Sequence, residues 1–203
     1  MQFVVSKVLA LDAPNLILQK NLILQGASAQ IQLTEKPLSR SFEVNNKTFT
    51  EVGRLFELHK IINLGDGGNS NKIIWRKFAI DNIGSPSLKF SADVIANGTN
   101  ELVMVFSGGT GFALHRIDAN ATAENVPEKL GGHNASFTRA PTEITNTNIM
   151  VLPPEFLIEM PSIKGVTLTK NGEDFIVSTQ TAEKKHKQFR YSPGAKHWNG
   201  VDP

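Results

Sequence analysis

Two asparagine–glycine pairs, each set between runs of alternating hydrophobicity, constrain this chain more than any other feature. Asn97-Gly98 separates residues 89–96 from 101–106, and Asn171-Gly172 separates 166–170 from 174–179. A type I′ turn needs positive φ at both central residues, which Asn and Gly accept at least cost. The flanks fit strands: Val166 and Leu168 alternate with Thr167 and Thr169, and Phe175 and Val177 with Ile176 and Ser178. Each pair therefore predicts an antiparallel hairpin.

Strand grammar extends through most of the chain. Residues 3–11 and 16–24 read as strands separated by the turn residues Ala13-Pro14-Asn15, and 30–34 as a strand ended by Lys36-Pro37. Residues 73–80, 112–117 and 149–152 read the same way. Pro153-Pro154 and Pro161 bracket 156–160 and confine that segment to a turn or an edge, because proline donates nothing to a ladder. One stretch competes for helix: Val52, Leu55, Phe56, His59 and Ile62 recur at helical spacing, although Gly53 costs about 1 kcal/mol relative to alanine and a strand fits nearly as well. Residues 118–148 are rich in polar and small residues and read as long loops with a short helix near 123–130. The sum is nine to eleven short strands and at most one or two short helices: an all-β chain, an antiparallel β-sandwich of jelly-roll-like type. Residues 78–90 loosely resemble the strand–turn–strand sequence of immunoglobulin-like repeat domains, a resemblance that implies the same sandwich class.

Composition sets the outer limits. Leu, Ile, Val and Phe make up 29% of the 203 residues, enough for a core. The chain has no cysteine, which removes disulfides, thiolate metal sites and thiol catalysis. The longest apolar run, residues 102–106, is strand-sized and far short of the ~20 residues of a spanning helix. The first residues lack the basic region and unbroken apolar stretch of a secretory signal, so the expected location is a virion or the cytoplasm. Four N-x-[ST] sequons, at Asn46, Asn97, Asn120 and Asn134, reflect an Asn-rich chain.

Local catalytic and metal signatures are weak. The glycine-rich 106–112 segment follows an apolar strand but offers no Lys to a phosphate, and reads as a tight strand connection. Residues 64–71 offer one carboxylate, Asp66, where calcium wants several. His59, His115, His133, His186 and His197 form none of the familiar ligand spacings, and Glu155 with Glu159 gives no fixed carboxylate gap. No cofactor and no catalytic or metal residue is expected.

The C-terminal segment is the most distinctive. Residues 181–203 carry five cations against two carboxylates, so the remaining 1–180 sum to −1 within a total of +2. Lys184, Lys185, Lys187, Arg190 and Lys196 interleave with Phe189, Tyr191 and Trp198. Cations among aromatic rings suit contact with a partner subunit or with nucleic acid. The expected organisation is a β-sandwich body over 1–180 and a basic, aromatic arm over 181–203, with residues 1–5 as a second arm. The expected function is a non-enzymatic assembly protein, a capsid- or penton-type virion subunit whose arms contact copies of itself or other subunits. Two alternatives compete: a carbohydrate- or protein-binding β-sandwich with Trp75, Tyr191 and Trp198 as stacking rings, and an enzyme with a dispersed site.

Overall fold

The computed structural model describes residues 5–10, 13–65, 67–80, 89–108, 111–122, 147–151, 163–181, 186–194 and 197–201. Thirteen strands and no helix occur among them: β1 (Val5–Ala10), β2 (Asn15–Leu24), β3 (Ala27–Val44), β4 (Lys47–Asn63), β5 (Asn69–Ile80), β6 (Phe90–Ala96), β7 (Glu101–Gly108), β8 (Gly111–Asp118), β9 (Thr147–Val151), β10 (Ile163–Asn171), β11 (Asp174–Thr181), β12 (His186–Ser192) and β13 (His197–Val201). The chain is all-β with antiparallel sheets. It divides into two compact units: residues 1–19, 29–86 and 120–146, and residues 20–28, 87–119 and 147–203. The expected short helix at 123–130, the 156–160 segment, Glu155, Glu159, His133 and Asp66 lie outside the described residues.

The first unit is built on a sheet of order β1-β3-β4-β5, with β2 also paired to β3. β3 and β4 run to 18 and 17 residues, far longer than the sequence suggested. The helix competing over 50–62 is a strand, and the reason is visible in its burial. Leu55, Phe56, Glu57 and Leu58 are buried consecutively. A strand covered on both faces loses its period of two, so its apolar residues fell at helical spacing by coincidence. A bulge between Leu58 and His59 shifts the register against β5: Leu58 pairs with Trp75 and His59 with Ile73, so buried Ile74 is the extra residue.

Strand β3 also runs straight through Pro37, where the sequence predicted an end. Its connection to β4 is the two-residue turn Asn45-Asn46, which closes on the pair Val44–Lys47. Counting back in twos from that bonded pair, Pro37 occupies a non-bonded position opposite Arg54. Its missing N–H therefore faces the other edge of β3, where β1 ends at its pairing of Ala10 with Leu38. Pro37 lies one residue outside the described β1 pairing and takes no bond from the β3–β4 ladder.

The type I′ turns are not where the sequence placed them. Positive φ at both central residues occurs at Gln25-Gly26 (53° and 77°) and Asn45-Asn46 (51° and 59°). Both predicted hairpins exist, with different turns. Asn97-Gly98 opens a longer loop, residues 97–100, closed by the Asn97 N–H donating to the Glu101 carbonyl at 2.7 Å. In the other, Asn171 pairs with Asp174, so Gly172-Glu173 is the loop and only Gly172 has positive φ, 60°. Gly at the first central position is the type II′ pattern.

The second unit stacks two four-stranded sheets, β6-β7-β8-β9 and β10-β11-β12-β13. Val103, Val105, Phe112 and Leu114 of the first sheet pack with Val166, Leu168, Phe175, Val177, Phe189 and Tyr191 of the second, with Ile95 against them. Two inner faces sharing one core is a sandwich arrangement. Both sheets run strand to strand in chain order; the crossing connection of a jelly roll is not among the described pairings. Residues 102–107 of β7 are all buried, as a continuous apolar strand requires.

Candidate functional site

The alternation of bases and rings in the C-terminal segment is the alternation of a strand. In β12, Phe189 and Tyr191 are 3% and 8% exposed and belong to the core of the second unit. The Phe189 ring lies 5.5 Å from that of Phe112 at a tilt of 59°. Between them Arg190 is on the opposite face, half-buried, its Nε 3.8 Å from the Asp174 carboxylate. Lys187 pairs with Thr179 at the end of the core-facing row. Trp198 pairs with Tyr191 in β13, its side chain outside the described part, and Lys184, Lys185 and Lys196 lie outside it altogether. Of the eight predicted contact residues, the structure brings Phe189 and Tyr191 together and turns both rings inward. Trp75, a stacking ring in the carbohydrate reading, is fully buried in the first unit.

The densest cluster of charge lies elsewhere and was not singled out from the sequence. On one face of the first sheet, Glu57 of β4 is 6% exposed. Its Oε1 is 2.5 Å from Arg76 Nη2 of β5, and its Oε2 accepts from Lys36 Nζ of β3 at 3.2 Å. Burial alone would push this carboxyl up. The positive charges of Lys36 and Arg76, and their hydrogen bonds, outweigh burial and hold it below the ordinary glutamate range. Thr34 Oγ1 continues the row, donating to the Glu57 carbonyl and lying 3.4 Å from His59 Nε2; His59 Nδ1 is 3.0 Å from Asn71 Oδ1. On the neighbouring register positions Arg54 donates to Glu35 at 2.9 Å. A carboxylate held ionised between two cations fastens three strands; proton transfer near neutrality wants a group poised closer to the working pH. The sequence signal for this cluster exists only after the fact: Lys36, Glu57 and Arg76 sit on three distant segments, and pairing brings them into line.

The other candidates resolve locally. Gly108 pairs with Gly111, making the glycine-rich stretch a tight β7–β8 connection. In the 64–68 loop, Leu64 N–H donates to the Gly68 carbonyl and Asn63 Oδ1 accepts from Gly65 N–H, so that oxygen is spent on the turn. His115 is fully buried on β8 and His186 is exposed. Among the described residues no group of three or more His, Cys, Asp or Glu could hold a metal, and no helix is long and apolar enough to cross a membrane.

Compared with protein-family models, with curated proteins and with solved structures, the chain finds no match, and its function has to be argued from its own geometry.

Proposed function

We propose that the chain is a non-catalytic structural subunit that assembles with copies of itself or with other subunits of one particle, a virion shell or vertex being the expected setting. One observation carries this reading. The β3–β4 ribbon runs past β5, whose last partner is Gly53 of β4, and its tip residues 45–50 are all exposed. Beyond Gly53, β4 has no described partner on that side, and Phe49 and Val52 are 38% and 53% exposed. A ribbon with apolar residues on a strand edge that has no partner among the described residues is suited to adding a strand from a neighbour.

The projecting element in this proposal is therefore the ribbon; of the described C-terminal cations, Arg190 is the one on the face of β12 opposite the core. Contact with nucleic acid through β12 would rest on Arg190 and not on the Phe189 and Tyr191 rings, which are buried. An assembly role holds for meander sheets as it does for a jelly roll. Native mass spectrometry or light scattering tests it: the proposal expects a large closed oligomer, and smaller species from the double variant Phe49→Ser, Val52→Ser. A wild-type monomer across the micromolar range would overturn it.

A further inference from the structure

The two sheets of the second unit meet at the edge strands β6 and β10, and among the described residues no ladder joins them. Because Gly172-Glu173 is a two-residue loop closing on the pair Asn171–Asp174, residues 171, 169 and 167 of β10 bond to β11. The N–H groups of Val166 and Leu168 therefore point away from β11, along the free edge. Both are occupied, by side chains instead of a strand. Leu168 N–H donates to Asp93 Oδ2 at 2.9 Å and Val166 N–H to Ser91 Oγ at 3.3 Å.

These acceptors come from the wrong side of β6 for a polar residue. Ile95, two positions on, packs on the shared core, so Ser91 and Asp93 occupy the same inward-facing row. Asp93 is 17% exposed at its side chain and fully used: its Oδ1 also accepts from Val94 N–H at 2.8 Å and pairs with Lys20 Nζ at 2.9 Å. Ser91 is fixed in turn, its carbonyl accepting from Ser107 Oγ at 3.2 Å. Natural sheets use inward-pointing charged residues on edge strands to prevent strand addition.

We infer that Asp93, with Ser91, is a seal on the β10 edge, and that the partner it excludes is a strand from a second copy of this chain. Lys20 balances the charge that the seal requires. The inference stands whether or not the chain assembles through its ribbon, because it concerns a different strand and a different readout.

Hydrogen–deuterium exchange over residues 163–171, read with sedimentation velocity, tests it on the full chain. Asp93→Ala should speed exchange at Leu168 by about ten- to a hundredfold, as loss of one hydrogen bond to a charged acceptor predicts, and should add a concentration-dependent species larger than any in the wild type. Asp93→Asn keeps one acceptor oxygen for Leu168 but turns an amide donor toward Val94 N–H and Lys20 Nζ, and should give Leu168 protection between that of wild type and that of Asp93→Ala, with less association than Asp93→Ala. Should Asp93→Ala not fold, Ser91→Ala serves, with faster exchange confined to Val166. Wild-type exchange in Asp93→Ala, faster exchange without association, or an Asp93→Asn protein as open as Asp93→Ala would each overturn the inference. So would unchanged exchange at Val166 in Ser91→Ala.

Discussion

Replacing Glu57 with glutamine isolates the energetics of the buried charge row. The substitution keeps shape and one acceptor oxygen but removes the negative charge that Glu57 sets between Arg76 and Lys36. The two cations differ in their escape routes: the Arg76 side chain is 10% exposed and stays in the sheet, whereas Lys36, at 25%, can swing its ammonium toward water. Breaking a buried pair by removing one partner costs about 3–5 kcal/mol. Because Lys36 can reach water and Arg76 alone stays buried, the lower end of that range, about 3 kcal/mol, is expected. For a chain of this size that is a fall in Tm of about 6–12 °C. The pH dependence has a definite sign. A carboxyl held low in the folded state contributes stability that is complete above its unfolded value and lost as pH falls through the folded value. Wild type should therefore lose part of its margin on acidification below about pH 4, and Glu57→Gln should lack that component. Urea titrations followed by circular dichroism at pH 7 and across the acid range measure both. The triple variant Lys36→Met, Glu57→Leu, Arg76→Met removes all three charges and should recover to within about 1 kcal/mol of wild type. A Glu57→Gln protein within about 0.5 kcal/mol of wild type at pH 7, the range of ordinary surface substitutions, would refute the reasoning.

Three further outcomes follow from the packing and the backbone geometry. Phe189→Ala should cost about 3–5 kcal/mol in chemical denaturation, the range for deleting a buried aromatic ring; removal of residues 186–203 should unfold the second unit, read as loss of protection in β11, because it takes β12 and two core rings with it. Asn46→Val places a β-branched residue at a φ of 59° and should destabilise the β3–β4 hairpin by about 1–2 kcal/mol, while Asn46→Gly at the same position should be neutral or stabilising.

The all-β class and the existence of both predicted hairpins were legible because alternation and turn residues are local. The turn residues themselves were less legible. Asn45-Asn46 makes a I′ turn at an exposed ribbon tip, where residues 47–50 show no alternation of buried and exposed positions, while Asn97-Gly98 opens a four-residue loop. Residues 50–62 misled for the same reason: period two survives only when one face of a strand meets water, and Leu55 to Leu58 are covered on both. In the C-terminal segment the pattern was plain and its meaning was not. Phe189 and Tyr191 alternating with Gln188 and Arg190 reads equally well as a strand with one buried face or as a binding tail, and only the presence of β11 and the facing sheet decides.

The sequence by itself determined what each short segment does: extend, turn, or stop, and which residues prefer burial. These are properties of one backbone and its nearest neighbours. The tertiary structure alone decided which segments lie side by side, and with that every feature on which function is argued. Lys36, Glu57 and Arg76 become one ion cluster, and Ser91 and Asp93 become acceptors for β10, through pairings between residues some 20 to 75 positions apart. No local preference encodes such pairings; they are selected by the burial of whole sheet faces and by the cost of leaving a backbone donor or a charge without a partner.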